Sequence, residues 1–468
     1  MGNLFLAHPD PKIRNPQKAI QYFDESLQIY PQGSMASLTV VTKATAQLSL
    51  GQIKEAEATF MKFLEGKPTR QEALIALSGL GNIFVQTKQW DKAIETYKKI
   101  ATEYPDTPQA TEANYWIAIC TQQKGDNQNA IPLLKEFAEK HNDSPLLPNI
   151  LYSIATAQLA LQDRASAIQT LTQLADKFPE SPPAPVTYFM RAQLLAQEGK
   201  LEDANALIRQ FMEKYPRSER IFGAYDWLAQ QAYRSAQWER AIKYYEDFVQ
   251  NYPKDPNAPI ALLRVAEYSK QWAESLGRYA ALPTNEQSIW QERMKRSLEA
   301  ASKFVDTYPE SELLPTAIQA FVAAHEALVN AEIQPQSQME IDIKTKAAAT
   351  QNPAVRSKIL FGLASFLAKR EPPRALKTMD EAFDKSISYL PSDLDTYATA
   401  LLEANRISDA KSVFEKMAAD YPVPAGTDPA NAPPLVQHAQ ANSLFGLGRI
   451  AQIEGNSAAA AEKFEQLK

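Results

Sequence analysis

The sequence predicts an all-α protein, a solenoid of antiparallel helix pairs, and three observations predict it. Alanine returns every 37 residues, at Ala19, Ala56, Ala93, Ala130, Ala167, Ala204 and Ala241. The 31 prolines among 468 residues fall almost entirely between helical stretches. Glycine is scarce, at 15, while Ala, Gln, Glu, Lys and Leu, all good helix formers, are abundant. A repeat of this length is one supersecondary unit that cannot bury its apolar face alone and must stack on its neighbours.

Within one period the pattern reads helix, turn, helix. In the clearest copy Leu77, Leu80, Gly81 and Phe84 share one face of a first helix, and Ala93, Tyr97 and Ile100 share one face of a second. Small residues recur where the two helices must approach: Gly81 is followed at the same beat by Ala118, Ala155, Ala192, Ala229 and Ala266. Gly51, Gly125 and Gly199 each precede a beat alanine by five residues, and Gly455 precedes the second-helix Ala460 likewise, where one helix ends and the chain turns. Strings resembling the KAIETYKKIATEYP that ends at Pro105 also end at Pro31, Pro68, Pro179, Pro216 and Pro253. Beyond these junctions stand Thr107, Ser144, Ser181, Ser218, Asp255 and Ser311, all good N-cap residues. Four are followed by Pro108, Pro145, Pro182 and Pro256, which suit the first position of a helix.

The regular array spans residues 1–253. Residues 254–330 read as irregular helical repeats with an insertion around Ser275–Met294, and 331–350 as a linker or irregular connection. A C-terminal helical array follows over 351–468, interrupted by the proline-rich loop 421–434. One solenoid with a distorted middle and two arrays with a hinge near 331–350 both fit this pattern. The chain stops at Lys468 in what reads as a helix, which suggests a piece of a longer protein, and its first residues carry no secretion signal.

Charge and composition exclude several functions. With 49 basic and 55 acidic residues the formal charge is −6, and no run of Lys and Arg offers a nucleic-acid surface. No stretch approaches the ~20 apolar residues that span a bilayer, so no integral membrane segment is expected. The single cysteine, Cys120, excludes an internal disulfide framework and reads as a buried structural thiol. His8, His141, His325 and His438 stand apart, without metal-ligand spacing. Gly79-Leu80-Gly81 lacks the strand and remaining residues of a phosphate loop. No catalytic residue, cofactor or metal is expected, and the chain does not read as an enzyme.

Leu77-x2-Leu80-Gly81-x2-Phe84, then Ala93-x3-Tyr97 and Pro105, resembles the tetratricopeptide repeat, with Leu77 in place of the usual tryptophan. That repeat is about 34 residues long, and the longer form here, with junctions such as Tyr215-Pro216-Arg217-Ser218, is similar to repeats of bacterial envelope proteins. These include outer-membrane lipoproteins of barrel-assembly machinery and periplasmic Tol–Pal-associated proteins. The resemblance covers 16–268 and, less closely, 390–468. It implies a right-handed superhelical solenoid whose first helices line a concave wall. It also implies a non-catalytic scaffold for a protein or peptide partner, with a periplasmic or outer-membrane-associated place favoured over the cytoplasm. The recruiting arm of a larger enzyme and a cytoplasmic scaffold remain open alternatives.

In the family members that grip C-terminal carboxylates, inner positions carry Lys, Arg and Asn; Asn82 matches here, but no lysine stands beside it. Tyr115, Tyr152 and Phe189 instead recur at 37-residue intervals, one residue after helix-packing positions, and are expected as a column on the inner wall. Gln193, Gln230 and Tyr233 are expected near them, as a peptide-binding surface. The same aromatics would equally serve as packing between adjacent first helices.

Overall fold

The computed structural model describes residues 2–7, 10, 12–31, 33, 35–66 and 68–467. About 77% of the chain is helical, and no strand occurs among the described residues. Internal contacts divide it into two compact units, Met1–Ser218 and Glu219–Lys468.

The first unit opens with α1 (Gly2–Ala7) and α2 (Pro16–Ile29). Helix pairs follow: α3 (Ala36–Ser49) with α4 (Ile53–Glu65), α5 (Arg70–Gln86) with α6 (Trp90–Glu103), and α7 (Pro108–Gln123) with α8 (Asn127–Lys140). The unit closes with α9 (Leu147–Ala160) and α10 (Arg164–Lys177), then α11 (Ala184–Gln197) and α12 (Leu201–Lys214). The second unit begins with α13 (Ile221–Arg234) and α14 (Trp238–Asn251), α15 (Ala258–Glu274) and α16 (Thr284–Thr307), and α17 (Leu314–Asn330) and α18 (Gln336–Ala349). It continues through α19 (Pro353–Ala368) and α20 (Pro372–Ala382), α21 (Pro391–Glu403) and α22 (Ile407–Asp420), and α23 (Pro434–Ile453) and α24 (Ser457–Glu465).

All seven beat alanines, Ala19 to Ala241, have no exposed surface, and neither have Ala118, Ala155, Ala192, Ala229 and Ala266, which face them. A methyl on each side lets paired helices approach closely, as dense interior packing requires. Gly81 has a sharper reason. A methyl there would lie 2.6 Å from Cζ of Tyr97, whose hydroxyl donates to Asn82 Oδ1 at 2.9 Å. In the second unit Tyr245 occupies the equivalent place opposite Ala229, and its hydroxyl donates instead to Asp226 Oδ1 at 2.7 Å.

The turn between paired helices needs one residue in the left-handed region. Gly51, Gly125 and Gly199 supply it, with φ of +73°, +95° and +79°. In the intervening repeats the same position is not glycine: Lys88, Gln162 and Ala236 adopt φ of +57°, +63° and +55°. The turn geometry is therefore imposed by the helix pair around it.

The junctions are more varied than their sequence suggests. Thr107 caps α7 as expected, accepting from the Ala110 amide. At Ser144, Ser181, Asp255 and Ser311 the α-helix begins three residues later. Their carbonyls accept from the amides of Leu147, Ala184, Ala258 and Leu314 at 2.9–3.1 Å, closing a turn first. Proline suits the second position of such a turn, so Pro145, Pro182 and Pro256 start turns rather than helices. Junction tyrosines tie consecutive repeats together: Tyr215 donates to the Pro179 carbonyl at 2.8 Å, and Tyr421 to the Tyr389 carbonyl at 2.7 Å.

The insertion after α15 is absorbed by a loop holding the short 3-10 turn Tyr279–Ala281 and by a longer second helix, α16, of 24 residues against 14 in α14. Two arginines where the added N-terminal turns of α16 join the rest of the helix reach backwards. Arg293 lies over the Trp272 ring, 3.7 Å from its centroid, and Arg296 forms a two-pronged ion pair with Glu246 of α14 at 2.8 and 2.6 Å. The stretch 331–350, expected as a linker or irregular connection, contains the helix α18. It buries Met339, Ile343 and Ala347, and its Glu340, almost wholly buried, meets Arg374 of α20 at 2.6 Å.

Candidate functional site

Within each unit the first helices lie against one another. α3 touches α5, α5 touches α7 and α7 touches α9 in the first; α15, α17, α19, α21 and α23 follow one another in the second. No two second helices approach comparably among the described residues. A stack packed more closely along one edge bends toward it, so the first helices form the inner wall of each unit.

Tyr115 and Phe189 each turn one ring face into their own helix pair. Tyr115 meets Phe137 of α8 edge-on at 5.9 Å and Trp116 at 5.3 Å, and Phe189 meets Phe211 of α12 at 4.8 Å. Tyr152 is half-buried and packs on the cluster of Leu134, Ile154 and Leu174. All three rings are half-exposed, and Gln193, one turn beyond Phe189 on α11, is exposed. Burial raises the pKa of the Tyr115 phenol above its ordinary value, which keeps it neutral and a hydrogen-bond donor. Between Tyr115 and Tyr152 the wall is braced: Gln122 of α7 donates through Nε2 to the Ser153 carbonyl and to Thr156 Oγ1 of α9, both at 2.8 Å.

Gln230 and Tyr233 stand in the second unit, both half-buried on α13. The Tyr233 ring stacks on Tyr268, with centroids 4.3 Å apart, and its hydroxyl donates to Gln271 Oε1 at 2.9 Å. The structure thus groups Tyr115, Tyr152, Phe189 and Gln193 in one unit, and Gln230 and Tyr233 in the other. Asn82, which matches the carboxylate-gripping pattern, already accepts the Tyr97 hydroxyl through Oδ1.

The remaining polar residues take ordinary places. Cys120 is fully buried and its thiol is pushed up to about 11 by burial. His141 ends α8 and lies 4.6 Å from the Phe137 ring; His325 is buried with Nδ1 3.0 Å from Gln334 Oε1, and burial lowers its pKa. His438 is exposed, while His8 lies outside the described residues, as does Lys468. Among the described residues no three His, Cys, Asp or Glu side chains gather as a metal site. Among the described residues no helix is long and apolar enough to cross a membrane. Sequence reasoning missed the wall of α17, α19 and α21, where Asp393 is half-buried and its carboxyl desolvated, because no 37-residue echo marks it.

Antiparallel pairs stacked with their first helices on one side define an array of the protein-interaction scaffold class. Family models of the tetratricopeptide repeat match residues 41–108 and 150–181. A third model, described as an outer membrane lipoprotein, matches residues 197–386. Among solved structures the chain is similar to a tetratricopeptide repeat protein from Parabacteroides merdae. The two are 15% identical over 54% of this chain and 92% of that one, with a TM-score of 0.36. It is also similar to a structure of Naa15/Naa10 bound to HypK, at 15% identity over 99% of this chain and 74% of that one, TM-score 0.33. A third is YrrB, described as a tetratricopeptide protein with an unusual peptide-binding site, at 14% identity over 44% and 98%, TM-score 0.33. No protein of curated function matches the sequence.

Proposed function

We propose that this chain is a scaffold of the bacterial cell envelope that holds a protein or extended peptide along its inner wall. The observation that carries the envelope reading is the match of residues 197–386 to the outer membrane lipoprotein model. For the contact surface we take Tyr115, Tyr152, Phe189 and Gln193 in the first unit, with Gln230 and Tyr233 on the wall of the second. A ring packed on one face and open on the other offers large contact area with little freedom left to lose on binding. The exposed Gln193 amide can both donate to and accept from a peptide backbone, whatever its sequence. The Gln122 brace holds neighbouring first helices in register before a partner arrives, which lowers the ordering cost of association.

The test uses the chain as bait in separated envelope and cytosolic fractions of its native host, beside the double variant Tyr152→Ala, Gln193→Ala. This reading expects an envelope protein retained by the natural sequence and lost from the variant. Equal retention by both, or partners drawn from the cytosol alone, would overturn it.

A further inference from the structure

On the inner wall of the second unit, three successive first helices enclose a cavity of about 230 Å³. Gln319, Val322 and Glu326 of α17 form one side, Gly362, Ser365 and Lys369 of α19 the floor and rim, and Ser392, Asp393 and Thr396 of α21 the other side. The volume falls below the ~300–1,000 Å³ of a drug-sized pocket and suits a single side chain. One end is narrowed where Gln319 Nε2 approaches Ser392 Oγ at 3.5 Å. Gly362 belongs to this arrangement: a methyl there would press Val322 Cγ2 at 2.9 Å.

The charges in the cavity are unevenly answered. Glu326 is met by Arg370 at 3.4 Å; that guanidinium also donates to Asn330 Oδ1 at 2.8 Å and stacks 4.0 Å from the Phe366 centroid, so it is committed. Asp393 has no such partner. Its carboxylate accepts one long hydrogen bond, from Ser365 Oγ at 3.4 Å, and no cation pairs with it among the described residues. Lys369 stands exposed at the rim. Burial pushes the Asp393 carboxyl up to about 6, as desolvation does to an acid without a counter-charge. A largely desolvated carboxylate left unpaired opposes folding, and such groups concentrate where a ligand supplies what the fold withholds. The hydroxyls around it have spare acceptor capacity: Thr396 donates its own proton to the Ser392 carbonyl at 2.8 Å, leaving its lone pairs free.

We propose that this cavity receives one lysine or arginine side chain of a bound partner, with the Asp393 carboxylate as counter-charge and Ser365, Ser392 and Thr396 as further acceptors. This deepens the interaction reading, on which it rests, by naming the chemistry that one inner-wall position selects. A cationic head on an apolar stem fits the lining, because Val322 and Gly362 meet the stem while the carboxylate meets the charge.

The probe is N-acetyl-lysine methylamide, compared with its uncharged isostere N-acetyl-norleucine methylamide, each titrated onto the whole chain and followed by saturation-transfer NMR. The lysine probe is expected to bind at least tenfold more tightly than the norleucine probe. Asp393→Asn should abolish that preference, while Asp395→Asn, on the same helix, should keep it. Circular dichroism confirms that both variants are folded. Equal binding of the two probes to the natural chain, no binding of either, or an unchanged preference in Asp393→Asn would each overturn the proposal. Because the probe is one residue long, the outcome is separate from partner capture on the Tyr152 and Gln193 wall.

Discussion

The left-handed turn between paired helices offers a perturbation whose size follows from geometry alone. At Gly125 φ is +95°, and a methyl added there would find nothing within 4 Å, so Gly125→Ala changes backbone energy without a clash. A residue with a Cβ pays about 1–2 kcal/mol to adopt this conformation. Against that stands ~0.4–1 kcal/mol from the smaller freedom of alanine in the unfolded chain. The difference is a loss of about 1 kcal/mol. Ala236, held at φ +55° in the equivalent turn of the second unit, should behave in the opposite sense, Ala236→Gly gaining up to about 1 kcal/mol. Repeats couple mainly to their neighbours, so global unfolding of the 468 residues is a poor gauge. Native-state hydrogen exchange reads the local opening energy directly, at α7 and α8 for the first variant and at α13 and α14 for the second. A neutral Gly125→Ala, or an Ala236→Gly that destabilises, would refute the claim that the helix pair imposes this turn.

Three further outcomes are expected. Gly81→Ala places a methyl 2.6 Å from the Tyr97 ring and should lower local stability by about 1–3 kcal/mol, with loss of the Tyr97–Asn82 hydrogen bond, measured by exchange across α5 and α6. Burial pushes the Asp393 carboxyl from an ordinary 3.8 up to about 6, so its protonated form favours folding. That contribution is complete below pH 3.8 and is lost as the pH rises through about 6. Asp393→Asn should therefore match the natural chain near pH 4 and exceed its stability by up to about 3 kcal/mol at pH 8, checked by urea unfolding across that range. Limited proteolysis should cut first within the exposed stretch 424–431 rather than within α18, read from fragment masses over time.

What was legible in the sequence was whatever repeats. The alanine beat located the faces where helices meet, and Leu77, Leu80, Gly81, Phe84, Ala93, Tyr97 and Ile100 are all buried as the periodicity predicts. The turn residue was legible only where it is glycine, because Lys88, Gln162 and Ala236 are driven left-handed by tertiary geometry rather than by their own preference. Ser144, Ser181, Asp255 and Ser311 read as caps, yet a turn closes first; at the first three a following proline suits either start, while Ser311 precedes Glu312. α18 was hidden by the polar, proline-bearing run at 334–338, although Met339, Ile343 and Ala347 stand at helical spacing and are buried. The Asp393 cavity left no periodic trace, because it forms where three first helices meet beyond the break in the beat.

Site-directed photo-cross-linking tests the central claim most directly. A benzoylphenylalanine replaces either Gln193, exposed on the first-helix wall at α11, or Gln210, exposed on the second helix α12, and each variant is irradiated in the native host. The inner-wall account predicts a discrete protein adduct at position 193 and none at 210. Adducts at 210 alone, or the same adduct in equal yield at both, would contradict it.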